Sequence, residues 1–296
     1  MRNRKHEAQY HIMLMPGMIL LLIFSFVPMF GFVIAFQKFS PAMGIFRSPW
    51  VGLSNFRYML QLPDTYKIIR NTVTIAVSKI ALGITAPLLF ALALNEVRSV
   101  KIKRVSQTIV YLPHFLSWVI LGGIVLDIFS LGGIVNQVIT WFGGDRVMFM
   151  ASNRWFRPIV LLSHVWKEFG FGAIIYLAAI TNVNPQLYEA AVIDGAGRFQ
   201  SLWKITLPCI LPTVILMATL ALGNILNAGF DQIFNLYNPL VYETGDIIDT
   251  YLYRVAFENA QYGLSTAVGL TKSAVGMVMI VTSYWLAGKF ANYRIF

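Results

Sequence analysis

Six apolar stretches recur along this 296-residue chain, at roughly 12–36, 71–95, 105–130, 157–181, 207–229 and 265–288. Each is about the length, some 20 residues, that a helix needs to cross the hydrocarbon layer of a membrane. A water-soluble fold of this size has no core large enough to bury them all, whereas lipid solvates them without one. Composition agrees: 57% of residues are hydrophobic and 12% charged, against about 25% charged in soluble domains. The predicted fold class is therefore all-α, a polytopic membrane protein of about six transmembrane helices. Pro16, Pro28, Pro87 and Pro113 interrupt the stretches, which is tolerated where neighbouring helices satisfy the freed backbone groups. No Ser/Gly linker or charged spacer divides the chain, so residues 1–296 read as a single transmembrane domain.

The first stretch follows Arg2, Arg4 and Lys5 and superficially resembles a signal peptide. It runs from Ile12 to Phe36, well beyond the ~7–15 residues of a cleavable apolar region, and no A-x-A site follows it. It is expected to be a retained first span.

The net charge of +10 suits either nucleic acid or the Lys/Arg excess that holds membrane loops inside. No basic tail or aromatic-basic motif supports nucleic acid, so the membrane reading is taken. With the N-terminus inside, segments 1–11, 96–104, 182–206 and 289–296 hold eleven Lys/Arg. The outer segments 37–70, 131–156 and 230–264 hold eight in a much greater total length. Density thus differs more than twofold in the expected direction, with Arg98, Lys101, Lys103 and Arg104 as the strongest anchor. Both termini are expected to be cytoplasmic. The single Cys209 excludes an intrachain disulfide. In segment 37–70, Trp50, Phe56 and Tyr58 suit a helix lying at the outer interface, or an ordered loop.

Segment 182–206 is built like two small helices. Asn184 can cap the first and Pro185 fits its first turn. Gly195 and Gly197 are expected to end it in the left-handed conformation. Phe199, Leu202 and Trp203, at i, i+3 and i+4, give an amphipathic second stretch that runs into Leu207-Pro208. Small Ala190 and Ala191 allow close approach, and Glu189 suits a helix start. On these residues alone, two readings stand: a hairpin that fits a groove on a cytoplasmic partner, or one that rests on lipid headgroups.

The run Glu189-Ala190-Ala191-Val192-Ile193-Asp194-Gly195-Ala196, followed by Ile205-Thr206-Leu207-Pro208, resembles the EAA motif of ABC importer permeases. Gly52-Leu53-Ser54-Asn55-Phe56, Asn71-Thr72, Leu187-Tyr188, and Trp166 at 23 residues before Glu189 extend the resemblance over nearly the whole chain. It is similar to carbohydrate-uptake permeases of the maltose-permease-like superfamily. Within them it looks like the Gram-positive subfamily for oligosaccharides such as rhamnogalacturonan or aldouronate fragments.

The resemblance implies a type I ABC importer permease fold in a bacterial plasma membrane. The chain would be one of two homologous permeases in a heterodimer, with two copies of a cytoplasmic ATPase. An extracellular solute-binding lipoprotein would deliver an oligosaccharide substrate. Glu189, Ala190, Ala191, Asp194, Gly195 and Ala196 would form the ATPase-coupling helix. The permease would not itself be an enzyme: ATP and Mg would bind the partner ATPase, with no cofactor or metal in this chain. The absence of G-x-x-x-x-G-K-[ST] agrees.

Ionisable groups inside a membrane are costly and default to functional candidates. Lys79, Asp127, Lys167, Glu168 and Lys272 fall within or near spans. His164, Lys167 and Phe171 share a helix face flanked by Trp166 and Glu168, and Asn224, Asn227 and Asp231 repeat the spacing. Two polar-aromatic stripes facing a cavity would suit a sugar. By the resemblance, sugar contacts fall at His164, Trp166, Lys167, Glu168 and Phe171, then Gly223, Asn224 and Asn227. The charged Lys167 and Glu168 depart from the maltose-type pattern. They suggest an acidic substrate whose carboxylate faces Lys167, helped by His164 or Lys79.

Other readings stay open beside these. Lys167 and Glu168 would otherwise pair or snorkel, and Asn224 and Asn227 would join helices by hydrogen bonds. Lys272 reads as an outward snorkeller and Asp127 as a residue at the outer span end. Ala267, Gly269, Ser273 and Gly276 read as small-residue packing. A secondary transporter would show repeated halves with broken helices, and no repeat is found. An intramembrane enzyme finds no H-E-x-x-H or G-x-S-x-G around His6, His11, His114 or His164.

Overall fold

The computed structural model describes residues 4–290. The ends of both predicted cytoplasmic termini, Arg2 and Arg294 among them, lie outside the described residues. In chain order the principal helices are α1 Tyr10–Phe36, α2 Ser54–Gln61, α3 Thr65–Glu96, α4 Val100–Phe115 and α5 Trp118–Ile128. There follow α6 Ile134–Trp141, α7 Asn153–Thr181, α8 Pro185–Ile193, α9 Arg198–Leu222, α10 Phe230–Leu236, α11 Ile248–Tyr253 and α12 Tyr262–Phe290. Strand pairing among the described residues is one isolated bridge, Gln37 to Trp50. The fold is all-α, as expected.

Among the described residues five helices, α1, α3, α7, α9 and α12, are long and apolar enough to cross a membrane. The third predicted span, 105–130, is not one straight helix: α4 and α5 meet at 104°. The cause is local. Pro113 has no N–H to continue the helix, so α4 closes in a tight 3-10 turn, Leu112–Phe115. Ser117 then starts α5 from an extended backbone, its hydroxyl accepting from the Ile120 N–H at 3.4 Å.

Two other spans adjust their winding just before a proline. In α1 the π-helical turn Leu22–Phe26 precedes Pro28, and in α9 the π-helical turn Leu202–Thr206 precedes Pro208. In both, the residue four before the proline, Phe24 or Lys204, lies mid-turn. Its carbonyl would clash with the proline ring in a regular α-helix, and wider winding relieves this.

The fifth predicted span, 207–229, ends early. Helical structure stops at Leu222, and Gly223–Gly229 run through turns to Gly229, whose φ is +89°. Asn224 and Asn227, expected on one helix face with Asp231, instead sit in this break, while Asp231 belongs to α10.

Packing divides the chain into two compact units. One contains residues up to 65 with 251–273. Here Asn55 Nδ2, within α2, donates to the carbonyls of Ala35 and Gln37 at 2.8 and 3.1 Å. Phe36 stacks on Trp50 with centroids 5.7 Å apart and lies 5.3 Å from Phe56. The aromatics of segment 37–70 thus brace an ordered helix-containing connection.

The other unit contains residues 66–250 with those from 274 onward. It holds two buried clusters. Ile75, Phe156, Val160, Ile233 and Leu236 anchor one, and Leu92, Ala173, Tyr176 and Ile210 anchor the other. Between these layers lie residues 79–84 of α3 and 164–172 of α7, which face a cavity.

Candidate functional site

The cavity has a volume of about 630 Å³. Lys79, Ile80, Gly83 and Ile84 line it from α3, Trp118 from the start of α5, and His164, Glu168, Phe171 and Ile175 from α7. Met217 and Ala221 of α9, Asn224, Asn227 and Gly229 of the break, and Gln232 of α10 complete this part of its wall. Residues three or four apart on α7 recur on the wall because they share a helix face. The Asn224–Gly229 backbone reaches it because the fifth span has unwound there.

Lys79 is buried, and its Nζ donates to the Ala228 carbonyl at 2.6 Å. The left-handed backbone of Gly229 leaves room for it: a Cβ at that position would stand 2.7 Å from Nζ. Gln232, also buried, donates through Nε2 to the Val160 carbonyl at 2.7 Å and to Ser163 Oγ at 2.8 Å. Its Oε1 has no hydrogen-bond partner among the described residues.

Lys167, expected on the pathway, is placed elsewhere. It does not line the cavity. Its ammonium turns to the α4–α5 break and donates to the carbonyls of His114 at 2.7 Å, Leu116 at 2.6 Å and Pro113 at 3.4 Å. Those carbonyls lie at a helix end and carry partial negative charge; that of Pro113 also accepts from the Leu116 N–H at 3.2 Å. Nor does Lys167 pair with Glu168. That carboxylate accepts from His114 Nδ1 at 2.8 Å, and the His114 ring stacks on Phe171 with centroids 3.9 Å apart. Trp166 and Gly223 are also absent from the lining. Trp166 is on a different face of α7, and Gly223 approaches Ile280 of α12. Of the eight expected pathway residues, His164, Glu168, Phe171, Asn224 and Asn227 come together at the cavity.

The second feature is the hairpin of segment 182–206. Asn184 Oδ1 accepts from the Gln186 N–H at 3.0 Å, and Pro185 opens α8. Gly195, with φ +77°, ends it, and the Ala196 N–H returns to the Ala191 carbonyl at 2.8 Å. Gly197 does not share the left-handed backbone expected of it. With φ −75° it caps the next helix, its N–H donating to Gln200 Oε1 at 3.1 Å. Glu189, Ala190, Asp194 and Gly195 are exposed, while Ala191 and Ala196 are half-buried. Val192 and Ile193 are 70% and 86% exposed, an apolar surface without cover among the described residues. Tyr188 Oη lies 2.9 Å from Thr206 Oγ1 and ties α8 to the foot of α9. Arg198 stands 3.9 Å from Glu96, at the end of α3.

The motif pair Asn71-Thr72 is a structural fastening. Asn71 and Thr72 are fully buried. Asn71 Nδ2 donates to the carbonyls of Glu243 and Asp246 at 3.0 and 3.1 Å, and its Oδ1 accepts from Arg157. Thr72 Oγ1 accepts from the Ile248 N–H at 2.9 Å. Nothing in the sequence marks Trp118 or Gln232 as a wall residue, and its pattern points to Lys79 only as a helper. A lysine midway along an apolar span was the available signal for it. Among the described residues, no three His, Cys, Asp or Glu side chains group as metal ligands.

Over residues 83–292 the chain matches the family described as binding-protein-dependent transport system inner membrane component. It is 42% identical to the polygalacturonan/rhamnogalacturonan transport system permease protein YteP of Bacillus subtilis (strain 168), covering 98% of this chain and 91% of that protein. It is 40% identical to protein LplB of the same organism, covering 99% and 92%. Among solved structures it is similar to a chain of a bacterial ABC transporter involved in import of the acidic polysaccharide alginate. That likeness has a TM-score of 0.90 and 41% identity, and covers 97% of each chain. A structure of bacterial alginate ABC transporter in complex with alginate pentasaccharide-bound periplasmic protein gives a TM-score of 0.88 and 40% identity, covering 96% of each.

Proposed function

The chain belongs to the binding-protein-dependent transport system inner membrane components, and we propose that it is a permease subunit that moves acidic oligosaccharides inward. As a member of that family it is a multi-pass protein of the inner membrane and a transport subunit, not a catalyst. A second, homologous permease would complete the pathway, two copies of a cytoplasmic ATPase would drive it, and an external binding protein would load it. The termini and the α8 hairpin would lie on the cytoplasmic side, where Glu189, Ala190, Ala191, Asp194, Gly195 and Ala196 dock into an ATPase groove. Exposed Val192 and Ile193 support this, since a partner groove would cover them.

The observation that carries the substrate class is the cavity wall: an ammonium at Lys79, amides at Asn224 and Asn227, and the rings of Trp118 and Phe171. Amides suit hydroxyl groups, aromatic faces suit sugar C–H groups, and an ammonium suits a uronate carboxylate. Polygalacturonan and alginate, named for two similar proteins, are both polyuronates. In mechanism, nucleotide-driven closure of the ATPases would push the hairpin. That push would pass through α9, which continues from the hairpin and ends at the cavity.

Two measurements test this reading. In a Cys209→Ser background, Gln200→Cys should react with an impermeant maleimide only from the cytoplasmic side, and Asp145→Cys only from outside. Uptake of trigalacturonate should depend on ATP and on the co-purifying binding protein. Labelling of Gln200→Cys from outside, or uptake driven by an ion gradient alone, would refute the reading.

A further inference from the structure

We propose that Lys79, not Lys167, recognises the carboxylate of the transported sugar; the proposal rests on the acidic-oligosaccharide reading above. A lysine ammonium has three N–H donors and no acceptor. For Lys167 three backbone carbonyls take those donors, and a helix end takes the charge. It has nothing left to offer a ligand.

Lys79 differs on each count. Among the described residues its Nζ has one hydrogen-bond acceptor, the Ala228 carbonyl. The side chain is 7% exposed and lines the cavity. A cation held out of water with donors unspent is costly unless an anion meets it. The other charged wall residue, Glu168, attracts the Lys79 charge, but its hydrogen bond goes to His114 at 2.8 Å.

The site is built around that ammonium. Gly229, at φ +89°, keeps its backbone open where a Cβ would stand 2.7 Å from Nζ. The break that supplies the Ala228 carbonyl also brings the Asn224 and Asn227 amides to the wall. A uronate carboxylate would take the two remaining donors of Lys79 as charge-assisted hydrogen bonds, with the amides available to its ring hydroxyls. Because Lys79 also holds the break past α9, carboxylate binding would be felt by the helix that continues into the hairpin.

The test rebuilds the complex in proteoliposomes from this chain and its co-purifying partners. ATP-driven uptake of trigalacturonate is compared with that of its methyl-esterified form. The same binding protein serves every variant, so its own preference cancels. Lys79→Gln keeps a donor for Ala228 but removes the charge, and Lys79→Arg keeps the charge. The expected result is a loss of about tenfold in acid-over-ester preference for Lys79→Gln, with preference largely retained in Lys79→Arg. A loss smaller than roughly fivefold in Lys79→Gln overturns the proposal and leaves the import reading standing. Equal wild-type uptake of acid and ester also overturns it. If the wild type imports neither, the acidic-sugar reading itself falls and takes this proposal with it. If Lys79→Gln does not assemble, Lys79→Met is read in its place. Failure of both to assemble, with Lys79→Arg intact, makes Lys79 a structural cation and overturns the proposal.

Discussion

Lys167 on α7 donates a 2.6 Å hydrogen bond to the carbonyl of Leu116, the residue at which the third span changes direction. With the His114 and Pro113 carbonyls this makes one ammonium the cap of a broken helix. The bend is thus fixed from a neighbouring helix rather than by its own sequence alone.

Removing that cap should loosen the break. Lys167→Met leaves the carbonyls without their charged donor, at a cost of about 2–4 kcal/mol. The detergent-solubilised complex should unfold at lower temperature, with partial recovery in Lys167→Arg. An unchanged unfolding temperature would show that water or lipid satisfies those carbonyls equally well.

Gly170 permits close approach of α7 to α4. A Cβ there would overlap the Val110 carbonyl oxygen and stand 2.7 Å from its carbon, and backbone cannot swing aside as a side chain can. Gly170→Ala should therefore destabilise the chain by about 1–3 kcal/mol through forced separation of the two helices. Thermal unfolding of the purified protein checks this, and Gly83→Ala, with open space at its Cβ, is the control.

Asn71 fastens the segment around Glu243–Asp246 to α3 through two carbonyls and Arg157. Asn71→Leu, at a fully buried position, leaves those groups without their partner, at about 3 kcal/mol. Hydrogen exchange over 239–250 should rise well above that of the α7 core. Equal protection in wild type and variant would mean the segment is held elsewhere.

The hairpin offers a test of coupling separate from one of folding. Gly195→Val forces a β-branched residue into a left-handed backbone, costing about 1–2 kcal/mol locally, and Glu189→Trp adds bulk to an exposed face. Membrane insertion should persist in both, while ATPase co-purification falls about tenfold. Full recovery of ATPase with either variant would remove the hairpin from the docking role.

Much of this protein was legible from residue order. Apolar run lengths located five spans, though α9 stops at Leu222 rather than at 229, and Asn184, Pro185 and Gly195 marked the ends of α8, because caps and glycine turns act locally. The break in the third span had a signal too: Pro113 followed by a Ser117 cap. An apolar run long enough for one helix hid it. The unwinding at Gly223–Gly229 was obscured in the same way, since Asn224, Asn227 and Asp231 also fit a helical repeat.

The chain's order alone thus determined that it enters a membrane as a set of helices with one exposed amphipathic hairpin. Hydrophobic length and local capping need no knowledge of distant residues. Only the tertiary structure decided which lysine meets the cavity. Successive positions on a helix point about 100° apart, and Lys79 and Lys167 are equally unusual in apolar surroundings. Their partners, the Ala228 carbonyl and the carbonyls of the α4–α5 break, lie far away in the chain. Which of the two keeps donors for a ligand was set by where those breaks were packed.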